Sequence, residues 1–283
     1  MAIPVIFDTD IGTDIDDAYA LALLLQCPEL DLIGITVGHG PTRRRSQIAL
    51  KLLHLADRGQ VPVAVGSERA GAVDVNQAPW ADGFVDLATI QQPAAEFLVE
   101  TITSQSGEIT LICVGPYTNL ADALDLEPSL MDQVKRVIVM GGCLGLPDGA
   151  TPERYPEYNA KSDVVATQKL FSAATGLTLV SLDVTRSVQL SEPNRRLLAD
   201  ADRPLPRALA ELYEHWPATT PTLHDPLAVG MAVSDHFCQT ETMTVTVDDD
   251  GSTRRSDEGT PMTVCTAVDS DAFVSFFVSR LLD

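Results

Sequence analysis

Short apolar runs, each bounded by polar turn residues, alternate with stretches of helical spacing through the first two thirds of the chain. The apolar runs lie near residues 3–7, 32–37, 61–65, 109–114, 137–140 and 177–182. Helical spacing occupies 17–26, 46–57, 93–104 and 163–174. Such alternation predicts βαβ units, with successive strands parallel and crossover helices covering the sheet. The runs are largely continuous in apolar residues, as expected when both faces of a sheet are buried. Past residue 183 the pattern turns helical, at 192–201, 205–216 and 226–233. A hairpin is expected next, with strands at 241–247 and 262–267, and then a last helix at 271–282. Between those strands, Asp248-Asp249-Asp250-Gly251 reads as turn chemistry. No linker, repeat or shift in composition divides the 283 residues, which predicts one α/β domain over 1–283.

Charge narrows the partners. With 19 basic and 40 acidic residues the net charge is −21, a surface that repels nucleic-acid polymers and anionic membranes. The basic residues are four lysines and fifteen arginines. Lysine poverty fits a saline habitat, although an ordinary soluble acidic protein explains it more simply. Cys27, Cys113, Cys143, Cys238 and Cys265 are scattered and odd in number, which predicts free thiols in a reducing, cytoplasmic compartment. The N-terminus has no basic stretch ahead of Asp8 and Asp10, and no apolar run reaches the ~20 residues of a membrane span.

Directly after the first apolar run comes Asp8-Thr9-Asp10-Ile11-Gly12-Thr13-Asp14-Ile15-Asp16-Asp17, with five carboxylates in ten residues. Like charges at this density repel one another unless a cation sits among them. A hard divalent ion with oxygen ligands, Ca²⁺ foremost, accounts for the run. Its position fits too, because ligands in open α/β sheets bind beyond the carboxyl ends of the strands. An EF-hand is excluded: counting from Asp8, Tyr19 stands where the bidentate Glu belongs and Thr13 where glycine is required. An aspartyl-phosphate phosphatase also begins Asp-x-Asp after its first strand, with Mg²⁺ and Asp8 as nucleophile. Gly12 stands where such enzymes usually carry a hydroxyl. A plain helix N-terminus explains Asp16 and Asp17, but not the whole run.

Two further constellations carry polar chemistry. Glu157 and Asn159 flank Tyr158 and, in an extended segment, would present both side chains to one cavity. His224-Asp225-Pro226 precedes a helical run, with Pro226 suited to a first helical position and Asp225 to its N-cap. His224 beside an acidic metal site would be a natural proton donor. His39, at the end of the second strand, lies where it could reach the same crevice, whereas His54, His215 and His236 read as surface or packing residues.

Taken in order, several of these motifs resemble the nucleoside hydrolases of the inosine-uridine preferring type. They are Asp8-Thr9-Asp10 with Asp16-Asp17-Ala18, Gly115-Pro116-Tyr117-Thr118-Asn119-Leu120, Met140-Gly141-Gly142, Glu157-Tyr158-Asn159, Leu182-Asp183-Val184-Thr185 and His224-Asp225-Pro226-Leu227-Ala228. The resemblance spans essentially the whole chain. It implies an open, mostly parallel, Rossmann-like sheet, a bound Ca²⁺ and hydrolysis of the N-glycosidic bond of ribonucleosides. A small-molecule nucleoside, purine or pyrimidine, would be the substrate, in nucleoside catabolism and salvage, by a homodimer or homotetramer.

By the same resemblance, Asp10, Asp17 and Asp225 would hold the metal with the carbonyl of Val114, where the family usually has threonine. Asp10 would be the general base and His224 would assist the departing base. Asp16, Asn159 and Glu157 would bind the ribose, and Asp8 would support the loop. The chain departs from the family at the end of the second strand, where Gly38-His39-Gly40-Pro41 replaces the usual Gly-Asn pair. His39 is then the candidate ribose contact. Thr13 and Asp14 form an apparent insertion, and Pro79-Trp80-Ala81 stands where His-Gly often precedes Asp82-Gly83. Trp80 could stack on a base or simply pack. Base contacts are expected from loops 66–92 and 205–223. The competing classes are the Mg²⁺-dependent phosphatase, a hydrolase of another N-riboside, and a riboside-binding protein with weak turnover.

Overall fold

The structure is a computed structural model that describes residues 2–68, 73–84, 89–147, 149–151, 153–173 and 176–283. Its strands are β1 (Ile3–Thr9), β2 (Leu30–Val37), β3 (Val63–Val65), β4 (Thr89–Pro93), β5 (Thr110–Cys113), β6 (Arg136–Met140), β7 (Thr178–Val180), β8 (Cys238–Val247), β9 (Thr253–Arg255) and β10 (Thr260–Val268). The helices are α1 (Asp16–Leu25), α2 (Thr42–Leu55), α3 (Ala94–Ser104), α4 (Thr118–Leu126), α5 (Tyr158–Ser162), α6 (Val164–Ala173), α7 (Leu182–Thr185), α8 (Glu192–Ala199), α9 (Pro204–Glu214), α10 (His224–Val233) and α11 (Ser270–Leu282).

All ten strands join one sheet in the order β4-β3-β2-β1-β5-β6-β7-β10-β8-β9. From β4 to β10 every neighbouring pair is parallel, and β8 and β9 add antiparallel ladders at one edge. The expected open, mostly parallel α/β sheet is what the chain forms. Its strand order reverses between β1 and β5, so the chain leaves these neighbours in opposite directions and a crevice opens at their carboxyl ends.

Each face of the sheet has its own apolar layer. Val5 and Phe7 of β1 face one cluster with α1, α2, α9, α10 and α11, whereas Ile6 faces a second with α3, α4 and α6. Alternate side chains of a strand point to opposite faces, so a strand buried twice must be apolar throughout. Helix α1 is buried along nearly its whole length, from Asp16 to Leu24. A helix apolar on every side belongs in the interior. Gly230 of α10 lets Phe273 of α11 approach closely; a β-carbon there would lie 2.4 Å from the Phe273 ring. Phe273 is fully buried and packs edge-on to Phe237 at 5.3 Å between centroids. This contact anchors α10, whose first turn carries His224 and Asp225.

Several expectations change at element ends. Strand β4 and helix α4 were not marked by the sequence pattern. The polar stretch 248–259 holds the three-residue strand β9 as well as its turn, where Gly251 adopts φ +84° and its N–H donates to the Asp248 carbonyl at 2.9 Å. The helix expected from residue 163 forms as α6, starting one residue later; Asp163, with φ −146°, separates it from the preceding α5, and the expected last residue, 174, lies outside the described residues. Helix α10 starts at His224, so Asp225 sits in its first turn rather than at the N-cap. No helix among the described residues is long and apolar enough to cross a membrane. All five cysteines are buried and unpaired.

Truncating Phe273 to alanine removes a fully buried ring from the α10–α11 contact. We expect Phe273→Ala to lower the unfolding free energy by about 3–5 kcal/mol, read from denaturant melts.

Candidate functional site

A cavity of about 540 Å³ lies at the carboxyl ends of the parallel strands. The β1–α1 loop contributes Asp10 and Asp14, the first turn of α1 contributes Asp16 and Asp17, the end of β5 contributes Val114, and α10 contributes His224 and Asp225. Glu157, Tyr158 and Asn159 line another wall, and Trp216 and Pro217 come from the segment after α9. Thus Asp10, Asp16, Asp17, Val114, Glu157, Asn159, His224 and Asp225, scattered through the sequence, border one space. From loop 66–92, Asn76 reaches the cavity. Residues 69–72 and 85–88 of that loop lie outside the described residues.

The acidic loop is held from below. Ile11 and Ile15 are fully buried, and Gly12 takes φ +117°, a conformation side chains rarely adopt. Thr9 donates its hydroxyl to Asp17, and Gly115 leaves room for Asp10, whose backbone N would lie 2.8 Å from a β-carbon there. Asp16, Asp17 and Asp225 each present an oxygen within 4.8 Å of the others, and all three are buried. Burial first, and then neighbouring carboxylates, pushes all three well above the usual carboxylate range. Buried mutual repulsion of this kind is relieved by a divalent cation with oxygen ligands, so the donor set fits a hard metal ion.

Asp10 stands beside this triad and has a different partner. Arg45, wholly buried, places Nη2 3.7 Å from the Asp10 carboxylate. Its Nη1 donates to the carbonyls of Asp10 and Ile11, and Nε donates to the His39 carbonyl at 2.7 Å. Burial raises the Asp10 pKa, while the Arg45 charge opposes that rise. Arg45 lies one residue before the helix expected at 46–57, whereas the helix begins at Thr42, so its place on the buried face went unmarked. Its face could have been found, since it shares the spacing of buried Ile48, Ala49 and Leu52 along α2.

Asp8 does not line the cavity. Its Oδ1 accepts from Thr36 Oγ1 at 2.6 Å and Asn119 Nδ2 at 2.7 Å, tying β1 to β2 and α4. Its Oδ2 has no partner among the described residues. Burial pushes its carboxyl up to about 7 despite those two hydrogen bonds.

Glu157 and Asn159 do share a wall, though by a different geometry from the extended segment expected. Glu157 is the extended N-cap of α5, and Asn159 lies inside the helix. The Glu157 carboxylate accepts from the backbone N–H groups of Gly142 (3.0 Å), Asn159 (2.9 Å) and Ala160 (3.0 Å). Burial raises its pKa and those bonds oppose the rise. Asn159 Nδ2 donates to the Val114 carbonyl at 2.7 Å, joining this wall to the end of β5.

His224 is oriented by Thr185, whose hydroxyl lies 2.7 Å from Nδ1. Burial, helped by the Arg186 charge, pushes its pKa down to about 4. His39 adopts φ 63° and is not among the cavity-lining residues. Its Nε2 lies 3.0 Å from the Tyr158 hydroxyl, so it meets the cavity through Tyr158. Trp80 is a packing residue: its indole donates to Glu211 at 2.8 Å, and Lys51 Nζ lies 3.9 Å from its ring centroid.

Residues 5–275 match the sequence profile of the inosine-uridine preferring nucleoside hydrolases. The chain is 29% identical over 272 residues to the pyrimidine-specific ribonucleoside hydrolase RihA of Citrobacter koseri, covering 89% of this chain and 86% of that protein. It is 30% identical over 255 residues to a probable uridine nucleosidase 2 of Oryza sativa subsp. japonica, covering 82% and 74%. Among solved structures, the plant nucleoside hydrolase PpNRh1 superposes with a TM-score of 0.89 at 25% identity, covering 100% of this chain and 99% of that one. A purine-preferring ribonucleoside hydrolase from Gardnerella vaginalis superposes with a TM-score of 0.84 at 25% identity, covering 99% and 98%.

The raised carboxyl groups make the metal-free protein sensitive to pH. Asp8 keeps its proton up to about pH 7 in the native state but releases it near 3.8 when unfolded. Between those values the native state binds more protons, so stability falls as pH rises. His224, lowered to about 4 from 6.5, works the other way. With chelator present, the several raised carboxyls should outweigh it and leave Tm higher at pH 5 than at pH 7.5 by a few degrees. Scanning calorimetry at both pH values checks the sign, and added Ca²⁺ should shrink the difference.

Proposed function

The chain belongs to the inosine-uridine preferring nucleoside hydrolase family, and on that premise we propose that it hydrolyses the N-glycosidic bond of ribonucleosides with Ca²⁺ at its acidic cluster. The observation that carries this reading is the meeting of Asp16, Asp17 and Asp225 within 4.8 Å, beside Asp10 and in one cavity with Glu157, Asn159 and His224. Asp10, Asp17, Asp225 and the Val114 carbonyl would hold the ion. Asp16, a member of the carboxylate triad with Asp17 and Asp225, either joins that set or binds the ribose hydroxyls beside it.

When bound, the ion supplies Lewis acidity toward a water and the ribose hydroxyls. Asp10 takes the proton of the attacking water, and the Arg45 charge keeps its carboxylate available as a base. Breaking the bond at C1′ builds oxocarbenium character on the sugar, which the surrounding carboxylates stabilise. Asn159 and Glu157 hold the ribose, with Tyr158, backed by His39, between them. Thr185 occupies Nδ1 of His224 and leaves Nε2 to hydrogen-bond the departing base. The low pKa of this imidazole keeps it neutral near pH 7, so it acts there as a hydrogen-bond donor.

A phosphatase reading would need Asp8 as nucleophile, and Asp8 is buried outside the cavity with one oxygen doubly hydrogen-bonded. The same family reading carries a homodimer or homotetramer and a role in nucleoside salvage.

Two measurements test the proposal. In Ca²⁺ buffer, wild-type protein should release p-nitrophenol from p-nitrophenyl riboside, and Asp10→Ala should lose roughly 10²- to 10⁴-fold in kcat while keeping its circular dichroism spectrum. Activity close to wild type in that variant would remove Asp10 as the base. His224→Ala should slow inosine and uridine by at least about tenfold more than p-nitrophenyl riboside, whose leaving group departs unaided. Equal losses on all three would contradict the leaving-group role.

A further inference from the structure

Arg186 caps α7 directly after Thr185, the residue that hydrogen-bonds His224. It lines the cavity together with Tyr155, His224 and Trp216. Its guanidinium lies 5.5 Å from the Tyr155 ring centroid and makes no hydrogen bond or ion pair among the described residues. Other arginines in this acidic chain, such as Arg136, Arg154, Arg254 and Arg280, are engaged by carboxylates. Arg186 is an exposed cation without a carboxylate partner, laid over an aromatic ring in a cavity that holds many carboxylates and one other cation, Lys161, so its donors are open to a ligand.

We infer that Arg186 is a specificity residue for the base, donating to the exocyclic carbonyl oxygen at pyrimidine C4 or purine C6. The inference rests on the hydrolase reading, which puts the base beside His224 and therefore beside Arg186. A guanidinium only donates hydrogen bonds. It matches the oxygen of uracil or hypoxanthine, whereas the amino group of cytosine or adenine offers it hydrogen against hydrogen. Leaving-group chemistry favours the same choice. Cleavage of C1′–N leaves the bonding pair on the base, where the exocyclic carbonyl oxygens share the charge. The water's hydroxyl goes to C1′, and its proton, through Asp10 and solvent, ends on the base. A fixed positive charge at the exocyclic carbonyl oxygen stabilises the base while it carries that pair.

The test is kcat/KM for uridine, cytidine, inosine, adenosine and p-nitrophenyl riboside with wild type, Arg186→Met and Arg186→Lys. Methionine keeps an apolar stem against Tyr155 and removes the donors. Wild type should favour uridine over cytidine and inosine over adenosine. Arg186→Met should lose roughly 10- to 100-fold on uridine and inosine, as for one charged hydrogen bond. Cytidine, adenosine and p-nitrophenyl riboside should change by less than about threefold, and Arg186→Lys should recover part of the oxo-base rate. Parallel losses on all five substrates would make Arg186 a structural residue and overturn the inference, as would unchanged selectivity or a wild-type preference for amino bases. In those cases, wild-type turnover of p-nitrophenyl riboside keeps the hydrolase reading intact. No wild-type turnover of any riboside would instead remove that reading, and the inference with it.

Discussion

Buried negative charge is the constraint around which the molecule is arranged. Asp10, Asp16, Asp17 and Asp225 are each at most 5% exposed, and the charge of Asp10 raises the pKa of the other three. Ionised carboxylates in a low-dielectric interior are costly unless paired, hydrogen-bonded or bound to metal. The fold uses all of these devices nearby. Arg45 pairs with Asp10, Thr9 hydrogen-bonds Asp17, and the triad has the composition of a cation site. A loop so charged must be anchored by something uncharged, which Ile11 and Ile15 provide by packing into the core.

The parallel sheet makes that anchoring possible. Because its strands run the same way, β1, β5, β6 and β7 end on one side, and the reversal of strand order between β1 and β5 opens a crevice there. Loops leaving these ends then face one another. Asn159 reaches from α5 to the Val114 carbonyl, and Thr185 reaches from the end of α7 to His224. The helix carrying His224 and Asp225 is fixed by apolar contact with α11, so remote packing sets the position of two cavity-lining side chains.

Much of this was legible in the chain. Strands β1, β2, β5, β6 and β7 announce themselves because a doubly buried strand must be apolar. The β1–α1 carboxylates announce themselves because so many like charges need an explanation. Strand β4 and helix α4 were less visible, the first polar at Gln91 and Gln92 and the second beginning inside a motif that reads as a loop. Glu157 and Asn159 were found, but not their geometry, since the Glu157 carboxylate caps α5 through backbone N–H groups that the sequence does not display. The position of His39 at the end of β2 suggests a place at the cavity, which it meets only through Tyr158.

The sequence by itself determined the fold class, the acidic loop at the end of β1 and the family of the chain. These follow from hydrophobic period and ordered motifs, which are properties of neighbours in sequence. Only the tertiary structure decided that Arg45 is an interior countercharge, that Asp8 stands behind the cavity and that Arg186 lies without a carboxylate partner beside His224. Each is a relation between residues far apart in the chain or a matter of burial. Whether a charge is solvated, paired or free is set by the distances and the dielectric that packing creates.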